Sequence, residues 1–167
     1  VMIETIDLSV YSSVSVTVGR AATTHESAVG WHFYNHDWST VGYDWQTRRA
    51  HLNADCELMA GPEKLDPELG DGILRVVDVE MSDEGVSAYI YENQSAGQFR
   101  LLMFDATGTL IDATQFGEGQ CSGGAIGRAL GMNRATGDVI VACELGIGTG
   151  RHYQRFDATA TPIDDPM

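Results

Sequence analysis

The sequence predicts an all-β fold of three four-stranded antiparallel repeats. Three observations carry this expectation. The phrase Phe-Asp-Ala-Thr-Gly-Thr-Leu at 104–110 returns as Phe-Asp-Ala-Thr-Ala-Thr-Pro at 156–162, and a degenerate copy, Leu-Asn-Ala-Asp-Cys-Glu-Leu, stands at 52–58. Its anchors Asn53, Asp105 and Asp157 are spaced 52 residues apart, and a fixed period of that size marks a repeated supersecondary unit. The stretches between the copies alternate apolar and polar with turn signals between them, the pattern of antiparallel hairpins. Gly is abundant, with 19 copies, and Pro scarce, with 4, which favours many tight turns over disorder.

The elements follow in order. A strand is expected at 2–10, ahead of the first repeat. In that repeat 14–18 alternates cleanly, His25 and Glu26 belong to a turn, and 28–34 forms the second strand. A longer excursion covers 35–42, a third strand 43–52, and Leu58-Met59 opens a short fourth. Taken alone, 44–58 has helix-favouring composition, with Gln, Arg, Ala, Leu and Glu, but the register of the other copies overrules it. The second repeat is the clearest. Its strands lie at 75–81, 86–92, 99–104 and 110–116, with Val77, Val79 and Met81 on one face of the first and Asp78 and Glu80 on the other. The third repeat has strands at 125–132, 138–143 and 151–156, and its copy of the fourth is missing. The 2–10 strand, whose Ile-Glu-Thr-Ile-Asp echoes Leu-Ile-Asp-Ala-Thr at 110–114, is expected to complete it. The whole reads as one domain, 1–167, with repeats at approximately 11–70, 71–120 and 121–167.

Four antiparallel strands per unit resemble a β-propeller blade. The phrases Leu-Met-Phe-Asp-Ala-Thr-Gly at 102–108 and Gln-Arg-Phe-Asp-Ala-Thr at 154–159 are similar to the blade-like repeats of large bacterial extracellular and surface proteins. The resemblance covers about 150 residues in three copies and speaks to architecture, not to activity. It implies a secreted or cell-surface setting. Three blades do not close a ring of the usual four to eight. A homo-oligomer, such as a dimer carrying six blades, is therefore expected. The alternative is a pseudo-threefold β-barrel or sandwich that closes within one chain.

Composition narrows function by exclusion. The 167 residues carry 24 Asp and Glu against 10 Lys and Arg, a formal charge of −14. So acidic a surface repels phosphate backbones and anionic membranes, so no nucleic-acid partner is expected. No apolar run approaches the roughly 18 residues of a membrane span, so no insertion is expected. Cys56, Cys121 and Cys143 lack CxxC spacing, and their odd count leaves at least one thiol outside an internal bridge. Cys121–Cys143 is the favoured bridge, yet the expected hairpin sets Cys143 opposite Gly127. The pairing stays open.

Candidate site residues gather in the first repeat. All three tryptophans, Trp31, Trp38 and Trp45, lie there, with His32, Phe33, Tyr34, His36, Asp37 and Tyr43 around them. Rigid rings with polar neighbours suit glycan stacking or a protein hot spot. The competing reading makes Trp31 and Phe33 core. A strand holds His32 and His36 roughly 13 Å apart, too far to share a metal ion. Asp105, Asp157 and Asn53 are expected to shape turns, with calcium as the alternative and no cofactor otherwise. The run Gly-Ile-Gly-Thr-Gly-Arg at 146–151 precedes a strand, so it reads as a hairpin loop and not a phosphate loop. No Gly-x-Ser-x-Gly elbow is present. The expectation is a non-catalytic recognition or assembly module, acidic and extracellular, that binds glycan or protein through Trp31, His32, Tyr34, His36, Asp37, Trp38, Tyr43 and Trp45. A hydrolase with a site in a central funnel, or a purely structural self-assembling unit, is the alternative.

Overall fold

A computed structural model of the chain describes residues 11–35, 44–66, 74–93, 98–116, 128–144 and 151–164. These residues form eleven strands and no helix. Sheet 1 is the meander β1 (Tyr11–Arg20), β2 (Ser27–Asn35), β3 (Asp44–Leu52) and β4 (Leu58–Lys64). Sheet 2 repeats it as β5 (Leu74–Met81), β6 (Ser87–Asn93), β7 (Gln98–Phe104) and β8 (Leu110–Phe116). Sheet 3 has β9 (Arg128–Met132), β10 (Val139–Glu144) and β11 (Arg151–Phe156), and then only an isolated bridge from Phe156 to Pro162. The fold is therefore all-β, in three antiparallel sheets of four, four and three strands. Among the described residues no barrel closes. The expected strand at 2–10 and the glycine loop at 146–150 lie outside the described residues.

The recurrent phrase is one turn built three times. Asp105 N–H donates to the Thr109 carbonyl, Gly108 N–H to the Asp105 carbonyl, and Asp105 Oδ1 accepts from Thr107 N–H, Thr109 N–H and the Thr107 hydroxyl. Asp157 does the same with Thr159 and Thr161, and Asn53 Oδ1 accepts from the N–H groups of Asp55 and Glu57 without a hydroxyl bond. In each copy the fourth residue is left-handed: Cys56 at φ 62°, Gly108 at 82°, Ala160 at 62°. These hydrogen bonds hold the Asp105 and Asp157 carboxyls below their ordinary pKa, the threonine hydroxyl bond being the largest cause. Through Oδ1 the two aspartates act as turn formers.

The sheets stack face to face in chain order. Pairing Ser27 with Leu52, Ser87 with Phe104 and Val139 with Phe156 puts the three sheets in one register. In that register one face of each sheet packs forward and the other backward. Ala28 on the forward face of sheet 1 meets Val76, Val79, Tyr89, Leu102 and Phe104 on the backward face of sheet 2. Ala88, Ile90, Leu101 and Met103 on the forward face of sheet 2 meet Leu130, Val139, Val141, Cys143 and Phe156 of sheet 3. A large apolar side chain fully buried in such a seam contributes roughly 1.5–3 kcal/mol. The expected face of β5 needs one correction. A bulge between Val76 and Asp78 puts Val76, not Val77, in line with Val79 and Met81, and Val77 packs on the opposite seam.

Hydrogen bonds between turns bind the sheets at one end. Ala22 N–H and Thr23 N–H donate to Asp83 Oδ1 at 2.8 and 3.2 Å, and Asp83 N–H donates to the Arg134 carbonyl at 2.9 Å. Gly19 shows how close the backbones come: a Cβ there would lie 2.7 Å from the Glu80 carbonyl carbon. Cys143 is disulfide-bonded and Cys56 is a free, exposed thiol. Cys121 lies outside the described residues. Cys143 pairs across the hairpin with Arg128, one residue from the expected Gly127.

Candidate functional site

The hairpin of β2 and β3 places the predicted site. Among the described residues it carries nine cross-strand pairs, against seven in the β6–β7 hairpin and six in the β10–β11 hairpin. Counted from the turn end, it extends two pairs beyond its counterpart in sheet 2. Those pairs are Tyr34 with Trp45 and Asn35 with Asp44. From Ser27 to Leu52 the chain runs 26 residues, against 18 from Ser87 to Phe104 and 18 from Val139 to Phe156. Two of the predicted residues, Tyr34 and Trp45, are therefore register partners in this hairpin, beyond the last pair described in sheet 2. His36, Asp37, Trp38 and Tyr43 lie outside the described residues.

Trp31 and His32 sit deeper. Trp31 is 5 % exposed and packs with Val29, Ala50 and Leu52 on the backward face of sheet 1. His32 is 8 % exposed and turns to the seam with β5. Burial, reinforced by the positive charge of Arg75, pulls its pKa down to about 4, against a smaller opposing effect from a hydrogen bond with the Val76 backbone. His32 is thus a neutral imidazole at physiological pH. Both residues shape the base of the hairpin. Among the described residues no group of three or more His, Cys, Asp or Glu is placed to hold a metal ion.

The seam between sheets 1 and 2 holds a polar cluster that the sequence pattern did not point to. Arg49 is 5 % exposed. Its guanidinium lies 3.7 Å over the centre of the Phe104 ring, pairs with Glu63, and donates to the Gly108 carbonyl at 2.7 Å. Burial lowers its pKa and the Glu63 carboxylate pushes it back up. It lines a cavity of about 460 Å³ with Glu63, Lys64, Leu65, Phe104 and Leu110. Beside it His51 approaches Glu26 at 3.5 Å, and its pKa is lowered, by burial first and by Arg49 in lesser part. Further along the seam, buried Asp66 accepts from the Tyr91 hydroxyl at 2.7 Å and from Arg100 at 2.9 Å. Burial, followed by the bond to Asp66, raises the Tyr91 pKa.

The repeat register explains the Arg49 cluster. Leu101 takes the place of Arg49 in the seam between sheets 2 and 3, and Phe156 the place of Phe104. There the turn carbonyl of Ala160 is held by the Thr114 hydroxyl at 3.3 Å. Thr114 stands opposite Leu101 as Glu63 stands opposite Arg49. One carbonyl is thus held twice, once by a charge and once by a hydroxyl. The Arg49 Nη2 is engaged by Glu63 and the Gly108 carbonyl of its own chain, which makes the cluster a structural clasp. The signal available in the sequence was a charge standing where the next copy has leucine.

No family model matches the chain, and no curated protein matches it in sequence.

Proposed function

We propose that the protein is a non-catalytic recognition module, a propeller-type array of blade-like repeats, secreted or on the cell surface, that binds a glycan through the β2–β3 hairpin. The observation that carries this is the length of the first hairpin: 26 residues from Ser27 to Leu52, against 18 from Ser87 to Phe104 and 18 from Val139 to Phe156, with Tyr34 and Trp45 as register partners toward its far end. Paired aromatic positions followed by a segment rich in Trp, Tyr, His and Asp supply stacking surface and polar handles, the chemistry that sugar rings require. Projecting binding residues from a rigid sheet is a common use of such scaffolds. The disulfide at Cys143 supports an oxidising compartment. The net charge of −14 favours neutral over acidic glycans.

The test is binding of the intact chain to an array of neutral glycans, repeated with Trp38→Ala and Trp45→Ala. Each variant is expected to keep the wild-type melting curve within a few degrees and to lose about tenfold or more in binding. A wild-type chain that binds no glycan but retains a protein from its native surroundings overturns the glycan reading and keeps the hairpin. Variants that bind as the wild type does remove the hairpin itself.

A further inference from the structure

We propose that Met59, Ile111 and Ile163 form a docking row on the outer rim of the stack, and that its occupant is a basic amphipathic helix of a partner protein, laid across the edges of the three sheets. The proposal rests on the internal repeat and is independent of the hairpin's ligand.

The three residues hold one position of the repeat, each six residues after its turn anchor Asn53, Asp105 or Asp157. In sheet 1 Leu58 pairs with Leu52 and Ala60 with His51, so Met59 is the extra residue of a bulge. In sheet 2 Leu110 pairs with Phe104 and Asp112 with Met103, which makes Ile111 the extra residue there. In sheet 3 the bridge between Phe156 and Pro162 stands where Phe104 meets Leu110. Ile163 follows it, and its N–H donates to the Arg155 carbonyl at 2.9 Å. A bulge re-aims the side chain it carries. Here Met59, Ile111 and Ile163 are left 52 %, 38 % and 44 % exposed.

A single exposed aliphatic side chain on a folded protein is ordinary. Repetition sets these three apart. The preceding position reads Leu58, Leu110 and Pro162, and the following one Ala60, Asp112 and Asp164. Between them the bulged position stays large and aliphatic in every copy. Core packing does not demand this, since none of the three is buried. Sheets stacked face to face lie roughly 10 Å apart, so the row steps by that distance from one sheet to the next.

The spacing and the charge of the row select the occupant. Two turns of α-helix, seven residues, rise about 10.5 Å, so one helix face offers an apolar side chain to each sheet in turn. The ground around the row is acidic. Residues 53–63, 105–116 and 157–164 contain seven Asp and Glu and no Lys or Arg. Arg155 approaches from β11, 3.5 Å from Asp164. A second copy would bring the same carboxylates against these, and an anionic membrane would be repelled. Lysine or arginine flanking the apolar stripe of a helix meets them favourably. Strands β2 and β3 are joined at the opposite end of sheet 1, so the row is separate from the proposed glycan site.

The experiment is a fluorescence-anisotropy titration of the intact chain into a labelled synthetic helix of three heptads. The helix carries leucine at every seventh position, alanine elsewhere on that face and lysine beside it. A second peptide has the same composition in permuted order. The ordered peptide is expected to bind about tenfold more tightly than the permuted one. Met59→Ser, Ile111→Ser and Ile163→Ser are each expected to weaken the ordered peptide by about threefold to tenfold and to leave the permuted one unaffected. None of the three side chains is buried, so the melting curves should match the wild type. Val18→Ser, at an exposed position away from the row, should change nothing. Equal binding of the two peptides overturns the proposal, because charge alone then accounts for it. So does an ordered peptide that does not bind, or a folded variant of the row that binds it as the wild type does.

Discussion

The fourth residue of the β3–β4 turn is a cysteine in a conformation made for glycine. Cys56 holds φ at 62°, and the same place in sheet 2 is Gly108 at 82°. A left-handed L-residue costs roughly 1–2 kcal/mol, from which the greater chain entropy of glycine must be subtracted. Cys56→Gly is therefore expected to raise the unfolding free energy by about 0.5–1 kcal/mol, read as a higher urea midpoint with an unchanged slope. Gly108→Ala should lower it by at least about 1 kcal/mol. It adds the left-handed cost, and its Cβ would stand 2.9 Å from the Ala60 Cβ across the seam. Equal effects at the two positions would mean that the turns differ more than their hydrogen bonds suggest.

Elements inherit their roles from their place in the repeat, and Arg49 shows how far a strand departs from its copies without losing that role. Arg49→Ala removes a charged hydrogen bond to Gly108 and a ring contact with Phe104, and is expected to cost about 2–3 kcal/mol. Arg49→Leu restores the side chain that the next seam uses and should recover part of that loss. Glu63 needs no buried partner, since its side chain is half exposed. Chemical denaturation of the two variants decides the order, and a leucine variant weaker than the alanine variant would sink the equivalence. Strand order and turn chemistry were legible in the sequence because they rest on local signals, namely period-two alternation and Asp or Asn at fixed spacing. The face of Val77 was not legible, because a bulge shifts it by one residue and leaves no compositional trace. Arg49 was missed because one buried charge among apolar neighbours reads as an ordinary exposed position. Trp31 and Trp45 looked alike as aromatic residues. The structure buries Trp31 in the sheet and sets Trp45 in the extended part of the hairpin, and only cross-strand register separates the two.

Two buried imidazoles, His32 and His51, are held toward their neutral form in the fold, and this predicts the molecule's response to acid. His32 lies in the first seam with a pKa of about 4 in the fold, against 6.5 when unfolded. Between those values the unfolded chain binds the proton and the folded chain does not, so stability is full above about pH 6.5 and falls as the pH drops toward 4. A shift of this size corresponds to a loss on the order of 3 kcal/mol. His51 is shifted in the same direction and adds to the loss. Unfolding free energies measured from pH 7 to pH 4 should fall in the wild type and fall less in His32→Asn. Identical slopes would remove His32 as a cause.

The clasp at Arg49 also bears on the order in which the chain is made. The bonds that join the sheets span long stretches of sequence: 59 residues from Arg49 to Gly108, 60 from Thr23 to Asp83, and 46 from Thr114 to Ala160. During synthesis sheet 1 must therefore wait, with its forward face bare, until most of sheet 2 has been translated. That waiting face carries His32, Thr47, Arg49 and His51, and the corresponding face of sheet 2 carries Phe99, Leu101 and Met103. Of the two, the surface that emerges earlier is the more polar, and the more apolar one follows with its own cover 46 residues on. A feature that costs desolvation in the finished fold is thus expected to lower the aggregation of partly made chains, read as more soluble truncated chains for the wild type than for Arg49→Leu.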